Sequence, residues 1–311
     1  MTTPAPATAA PAPGSQASLG YALGALGVAI FALTMPMTRL AVGDASAPQL
    51  PPAFVTAARA ALAGLLAAAY LVAVRARRPA RRLHAPLALS ALGTVVGFPL
   101  CLALALREVE SMHAAVVSGL LPLATAVLAA LVLRQRPSWG FWACALLGTA
   151  LVVAFAAWSG GGRLSAADGW LLAAMLIGAV GYVAGARAAA GLPPEQVICW
   201  VLVGSLPFTL PATLWWWPEH AASAAAWGAL GYVSVFSMWL GFFAWYRGLA
   251  LGGVVRVSQV QMLQPFLALL AAVPLLGEQL EPGTVAFALA VMAVVAVSRR
   301  MPVGQPAGAS R

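Results

Sequence analysis

The most pointed chemical feature of the sequence is an arginine inside an apolar run. Arg59 stands seven residues into the apolar stretch 52–74, about 10 Å from its start at 1.5 Å per residue. Insertion scales put a guanidinium at depth in hydrocarbon at roughly 2.5–3.5 kcal/mol, so it must face water or the interior of a helix bundle. There it would attract a carboxylate or a phosphate on a solute. The alternative is that it snorkels outward or caps carbonyls of a neighbouring helix. Thr56 lies one turn before it on the same face, and Thr34 and Thr38 are one turn apart in the preceding run. Their hydroxyls could meet a polar solute or bond to their own i−4 carbonyls.

Three further groups of residues could do chemistry or move. The run 255–276 is the most polar at depth, with Ser258, Gln259, Gln261 and Gln264 preceding Pro265. Gln261 and Gln264 share a helix face, whereas Gln259 points away from it; the paired amides could bind a polar metabolite or bond between helices. Tyr232, Phe236, Trp239, Phe243 and Tyr246 follow spacings of four, three, four and three. They form one aromatic stripe, which could line a pathway with Trp239 at its centre or pack against lipid and neighbouring helices. Pro122 and Pro265 each remove a backbone hydrogen bond and are hinge candidates.

Other chemistries lack their residues. No Asp or Glu falls in the middle of an apolar run, although proton- and sodium-coupled carriers commonly use such a carboxylate as a relay. That points to facilitated export or to coupling through other groups. No Ser, His and acid set sits at membrane depth, and HExxH and GxSxG are absent, which counts against a hydrolase. Cys101, Cys144 and Cys199 have neither CxxC nor metal-ligand spacing and read as small buried residues. No catalytic residue, metal or cofactor is expected.

The elements that must position these residues are membrane helices. The 311 residues are 62% hydrophobic and 8% charged, where soluble domains carry roughly a quarter charged positions. Ten apolar segments, about 19–38, 52–74, 85–106, 112–133, 139–158, 168–190, 195–216, 227–247, 255–276 and 283–298, approach the roughly 20 residues that span hydrocarbon. Continuous apolar runs exclude a barrel, so the expected fold is an all-α polytopic membrane protein of ten transmembrane helices. Residues 1–17, rich in Pro and Ala and without charge, are expected to be a disordered tail, and 301–311 a second tail.

The 17 bases, all Arg, give a net charge of +9. They fall between apolar runs rather than in a solvated patch, so lipid and a small solute are the expected partners and nucleic acid is not. Clusters such as Arg75, Arg77, Arg78, Arg81 and Arg82 follow even-numbered segments, and seven of the eight acids lie on the opposite side. Short Arg-rich loops stay cytoplasmic, which places both termini there. Four GxxxG pairs beginning at Gly20, Gly93, Gly181 and Gly248 suit helix packing within one chain and would equally serve a homodimer.

An even number of spans invites a search for duplication. Residues 106–152 laid on 249–295 without gaps give twelve identities in 47 pairs, Pro122/Pro265 and Gly140/Gly283 among them. Composition alone accounts for about five, by counting matches. Five spans per copy is odd, so the second copy enters the membrane inverted. Accordingly Arg134-Gln135-Arg136 aligns with Gly277-Glu278-Gln279, a basic turn on an acidic one. The expected units are 18–158 and 168–300.

AlaTrpTyrArgGlyLeuAla at 244–250, LeuGlnProPhe at 263–266 and LeuGlyGluGlnLeu at 276–280, in ten spans of two inverted repeats, resemble the EamA family of the drug/metabolite transporter superfamily. The likeness runs over about 19–300. The first repeat departs from it at Leu133-Arg134-Gln135-Arg136, where the family usually has a Glu, and Arg59 matches an Arg common in the family's second helix. The resemblance implies a bacterial inner-membrane exporter of amino acids or related metabolites, working by alternating access around a cavity between the halves. A non-transporting membrane protein, such as a lipid-modifying enzyme or a scaffold, is the reading from another class.

Overall fold

The structure, a computed structural model, describes residues 13–132, 136–159, 161, 164–189, 191–252, 258–298, 300–301 and 303–304. The regular elements among these residues are helices, apart from a two-residue antiparallel pairing of Arg136 and Pro137 with Gly304 and Val303 and an isolated bridge between Gly43 and Pro48. Among them are eight helices long and apolar enough to cross a membrane, between Ser18–Val42 and Ala224–Leu249, and two shorter apolar helices, Gln264–Leu276 and Pro282–Ser298. Backbone hydrogen bonding explains the choice of helix, since in an apolar solvent each N–H and C=O must be paired within its own segment.

In chain order the elements are α1 (Pro13–Ala32), α2 (Thr34–Val42), α3 (Pro52–Ala73), α4 (His84–Ser90), α5 (Phe98–Ala105), α6 (Ser111–Ser118) and α7 (Leu121–Val132). They continue as α8 (Trp139–Ser159), α9 (Ala166–Ala189), α10 (Pro194–Trp215), α11 (Ala224–Tyr232), α12 (Gly241–Gly252), α13 (Gln264–Leu276) and α14 (Pro282–Ser298). Proline opens α3 and α10, where its fixed φ suits a helix start and its missing N–H is not needed. Gly277 ends α13 in the left-handed conformation at φ 69°, which an L side chain resists.

Several spans are interrupted, which ten uniform apolar runs do not announce. The first breaks at Leu33, between α1 and α2. The third and eighth each contain a π-helical segment, Ala91–Gly97 and Val233–Leu240. The fourth breaks at Gly119 and Leu120, and a 3-10 turn, Ser258–Leu263, precedes α13. Pro122 and Pro265 therefore stand in the first turn of a restarted helix and not within a continuous one.

The packing partners are regular. α1 lies against α12, α3 against α10, α5 against α9, α6 against α13 and α8 against α14. Glycine permits the closest crossings: a Cβ on Gly93 would lie 2.5 Å from the Gly181 Cα, and one on Gly248 would lie 2.6 Å from the Gly24 nitrogen. All four GxxxG pairs thus include a glycine at a helix crossing inside the chain or on a helix that makes one.

The helix α1 begins at Pro13, inside the stretch 1–17 expected as a tail; residues 1–12 lie outside the described residues. The second expected tail is tied to the bundle at its start by the 303–304 pairing, and its remaining stretch 305–311 also lies outside them.

Candidate functional site

The interruptions converge. A cavity of ≈ 90 Å³ lies among the first, second, third, fourth, sixth, eighth, ninth and tenth spans, room for on the order of half a dozen waters. Thr34 reaches it from the start of α2, Thr94 and Ser237 from the two π segments, Ser118 and Pro122 from either side of the break at 119–120, and Gln261 and Gln264 from the 3-10 turn and the first residue of α13. Broken helices commonly bring polar backbone and side chains to a binding site at membrane depth.

Arg59 supplies the charge. It is 4% exposed and lines the cavity. Its Nε and Nη1 are buried and have no hydrogen-bond partner among the described residues, and Nη2 stands 3.5 Å from the Ser237 Oγ, the long limit for a hydrogen bond. Being buried, Arg59 does not snorkel to the surface, and among the described residues it caps no neighbouring carbonyl and pairs with no carboxylate. A buried guanidinium with no carboxylate beside it among the described residues is costly unless something balances it.

The other expected residues divide. Thr34 Oγ1 and Ser237 Oγ are 2.7 Å apart, joining the first span to the eighth beside Arg59. Gln261, Gln264, Pro122 and Pro265 line the cavity. Thr38, Thr56 and Trp239 do not: Thr38 donates to the Thr34 carbonyl at 2.6 Å, Thr56 is buried with its hydroxyl unpartnered among the described residues, and the Trp239 ring packs on Tyr70 and Phe243. From the same span Ser237, Met238 and Phe242 face the cavity instead. The aromatic stripe assumes a regular 3.6-residue turn, and the π segment at 233–240 shifts the register of the residues C-terminal to it. The side chains of Ser258 and Gln259 lie outside the described residues.

Sequence alone does not single out Thr94, Ser118, Ser237 and Tyr182. Ser118 has a signal, since the repeat alignment pairs it with Gln261, as it pairs Leu121 with Gln264; all four line the cavity.

Side chains tie the helix ends on the acid-bearing side. The Glu278 carboxylate meets the start of α6, the Gln49 amide oxygen accepts from the Ser223 N–H at 2.9 Å, and Arg39 Nη1 donates to the Leu106 and Val109 carbonyls. The Asp44 carboxyl is held below the usual carboxylate range, first by the Ser46 hydroxyl and then by the Ala47 N–H.

A Ser, His and acid set also assembles here. His113 Nε2 is 2.7 Å from Asp168 Oδ1, and Ser159 Oγ is 2.8 Å from His113 Nδ1. It lies at the ends of α6, α8 and α9 rather than at depth, and its residues are 46 and 55 positions apart, beyond any local motif. Asp168 also accepts from the Ser165 N–H and hydroxyl, capping α9, and the Ser159 hydroxyl donates to the Phe155 carbonyl at 3.0 Å. The group closes helix ends, with its serine hydroxyl engaged by its own helix.

One crystal structure superposes with a TM-score of 0.61 at 22% identity, over 90% of this chain and 98% of that one, a likeness of fold. The uncharacterized transporter YdeK of Bacillus subtilis (strain 168) is 44% identical over 283 residues, covering 90% of this chain and 97% of that protein. The model of the EamA-like transporter family matches at 18–157 and again at 165–300. The protein is a multi-pass membrane protein, and the chain belongs to the EamA-like transporter family.

Proposed function

We propose that this transporter exports a small solute bearing a carboxylate, of the amino-acid or related metabolite class, across the bacterial inner membrane by alternating access. The single observation that carries the solute class is the buried Arg59 guanidinium, with two nitrogens unpartnered among the described residues, in a cavity ringed by hydroxyls and amides. A carboxylate there satisfies the cation, while Gln261, Gln264, Thr34 and Ser237 offer donors and acceptors to the rest of a polar solute. Export is what the family resemblance implies.

Alternating access rests on ten spans arranged as inverted repeats, 18–158 and 168–300. The packing pairs one with eight, three with six, two with seven, four with nine and five with ten map onto themselves when each span is exchanged with the one five later. The paired π segments, the two family-model matches and the cavity-lining equivalents Pro122 and Pro265 support the same reading. Pro122 and Pro265 are its hinges. Glu278 to Ser111, Gln49 to Ser223 and Asp168 to His113 each link the two halves on the acid-bearing side. We read this conformation as pinned there, with solute entering from the Arg-rich side, which the charge distribution makes cytoplasmic together with both termini.

A flux assay in proteoliposomes tests the reading, with labelled amino acids and their decarboxylated amines as paired probes. Net movement of the acids and not of the amines is expected. Movement of the amines alone, or turnover of bilayer lipid without solute flux, would reject it.

A further inference from the structure

We propose that a groove between the third and seventh spans, at the Arg-rich end of the bundle, binds an anionic phospholipid of the surrounding leaflet. The groove holds ≈ 340 Å³ and lies outside the solute cavity. Leu87 of α4 forms one wall and Trp200, Val203 and Gly204 of α10 the other, with Arg78 and His84 at the mouth. Its lower part is hydrocarbon in character and its upper part is cationic.

Three observations carry the choice of occupant. The first is charge. Arg75, Arg77, Arg78, Arg81 and Arg82 lie at this end, and no ion pair engages any of them among the described residues. The sequence has no Asp or Glu between 45 and 107, and Glu195 at the start of α10 forms no ion pair among the described residues. A phosphate is the complementary group, and basic pockets between spans on the cytoplasmic side are suited to acidic headgroups.

The second observation is a buried donor. The Trp200 indole N–H has no acceptor among the described residues, and a buried donor without a partner is unfavourable by about 1–3 kcal/mol. The ring lines the groove, and a small turn of it would bring the N–H to ester or phosphate oxygens of a lipid there. The third is shape: a Cβ built on Gly204 would touch no protein atom within 4 Å, so the wall is set back where an acyl chain would run. The order along α10 matches a phospholipid. Trp200 comes about 9 Å and Gly204 about 15 Å after the helix start at Pro194, so phosphate, ester and chain meet Arg78, Trp200 and Gly204 in turn.

The test uses the purified full-length protein in detergent, titrated with phosphatidylglycerol or phosphatidylcholine of identical acyl chains and read by native mass spectrometry. Wild type is expected to retain phosphatidylglycerol about five-fold better, the worth of one arginine near a charged surface. Arg78→Gln should abolish that preference. Gly204→Leu should lower tightly held lipid of both kinds at least as much, because its side chain fills the chain slot. Gly228→Leu, another helical site where a Cβ meets nothing within 4 Å, is the control and should change neither. Melting temperatures of all variants report folding separately. Equal retention of the two lipids by wild type, or equal behaviour of Gly204→Leu and Gly228→Leu, would overturn the proposal. So would a wild-type dimer that Gly204→Leu splits, which would make the groove an interface between copies.

Discussion

The Glu278 carboxylate caps the helix that begins at Ser111. Its Oε1 accepts from the Ser111 N–H at 2.7 Å, and its Oε2 accepts from the Ser111 hydroxyl at 3.0 Å and the Met112 N–H at 2.9 Å. An anion at a helix N-terminus satisfies orphan donors and meets the positive end of the dipole. Here the acid comes from the turn before the last span, so the cap also joins the two halves. Glu278→Ala should lower stability by about 1 kcal/mol and release the acid-bearing ends. Thermal melting reads the first effect. Faster alkylation of a cysteine placed at Ser118 from the acid-bearing side reads the second, and no change in that rate would mean that the cap is structural alone.

Glu110, beside this cap, makes stability pH-dependent. Burial first, and then the Glu278 charge, holds its carboxyl above its ordinary value of 4.5, against the pull of Arg39. The folded state thus keeps its proton to higher pH than the unfolded chain. Stability contributed by this group is present below 4.5 and falls as pH rises through the raised value. Glu110→Gln should flatten the melting curve against pH in that window, and an unchanged slope would assign the dependence to other groups.

The crossing of the third and sixth spans depends on Gly93 and Gly181, because a Cβ on Gly93 would stand 2.5 Å from the Gly181 Cα and 2.8 Å from the Ile177 carbonyl oxygen. Backbone cannot rotate away as a side-chain end can. Gly93→Leu should destabilise by about 1–3 kcal/mol or more, as overpacking does. Gly231→Leu, where a Cβ meets nothing within 4 Å, should melt with wild type. Equal melting of the two variants would show that this crossing is loose.

Ser159, His113 and Asp168 have the residue types of a hydrolase without its freedom. The serine hydroxyl has one proton and two neighbours, its own helix carbonyl at Phe155 and His113 Nδ1, and the acid divides its oxygens between His113 and Ser165. Ser159→Ala should leave solute flux unchanged, and a fluorophosphonate should not label the wild type. Labelling at Ser159 would revive the enzyme reading.

How much of the fold and the site is legible in the sequence depends on whether the signal is local. Apolar runs mark the spans because each must satisfy its own backbone, and Arg59 stands out because an unpaired charge at depth is expensive anywhere. Gln261 and Gln264 lie on one face over a single turn, so the 3-10 geometry leaves them together. Trp239 fails as a cavity residue because the stripe extrapolates a regular helix through a π segment. The meeting of Ser159, His113 and Asp168, and the contact of Thr34 with Ser237 across 203 positions, depend on how spans pack, which no short pattern carries.

The central claim is that Arg59 receives the carboxylate of the solute, and one measurement tests it most directly. Proteoliposomes with equal amounts of correctly inserted wild type, Arg59→Lys and Arg59→Gln are assayed with a transported amino acid. Truncating a buried charged partner typically costs about 2–5 kcal/mol, so Arg59→Gln should lose at least about thirty-fold in flux at low solute concentration. Arg59→Lys keeps the charge without the planar fork and should fall between. Flux through Arg59→Gln equal to wild type, with the protein still inserted and folded, would contradict the claim.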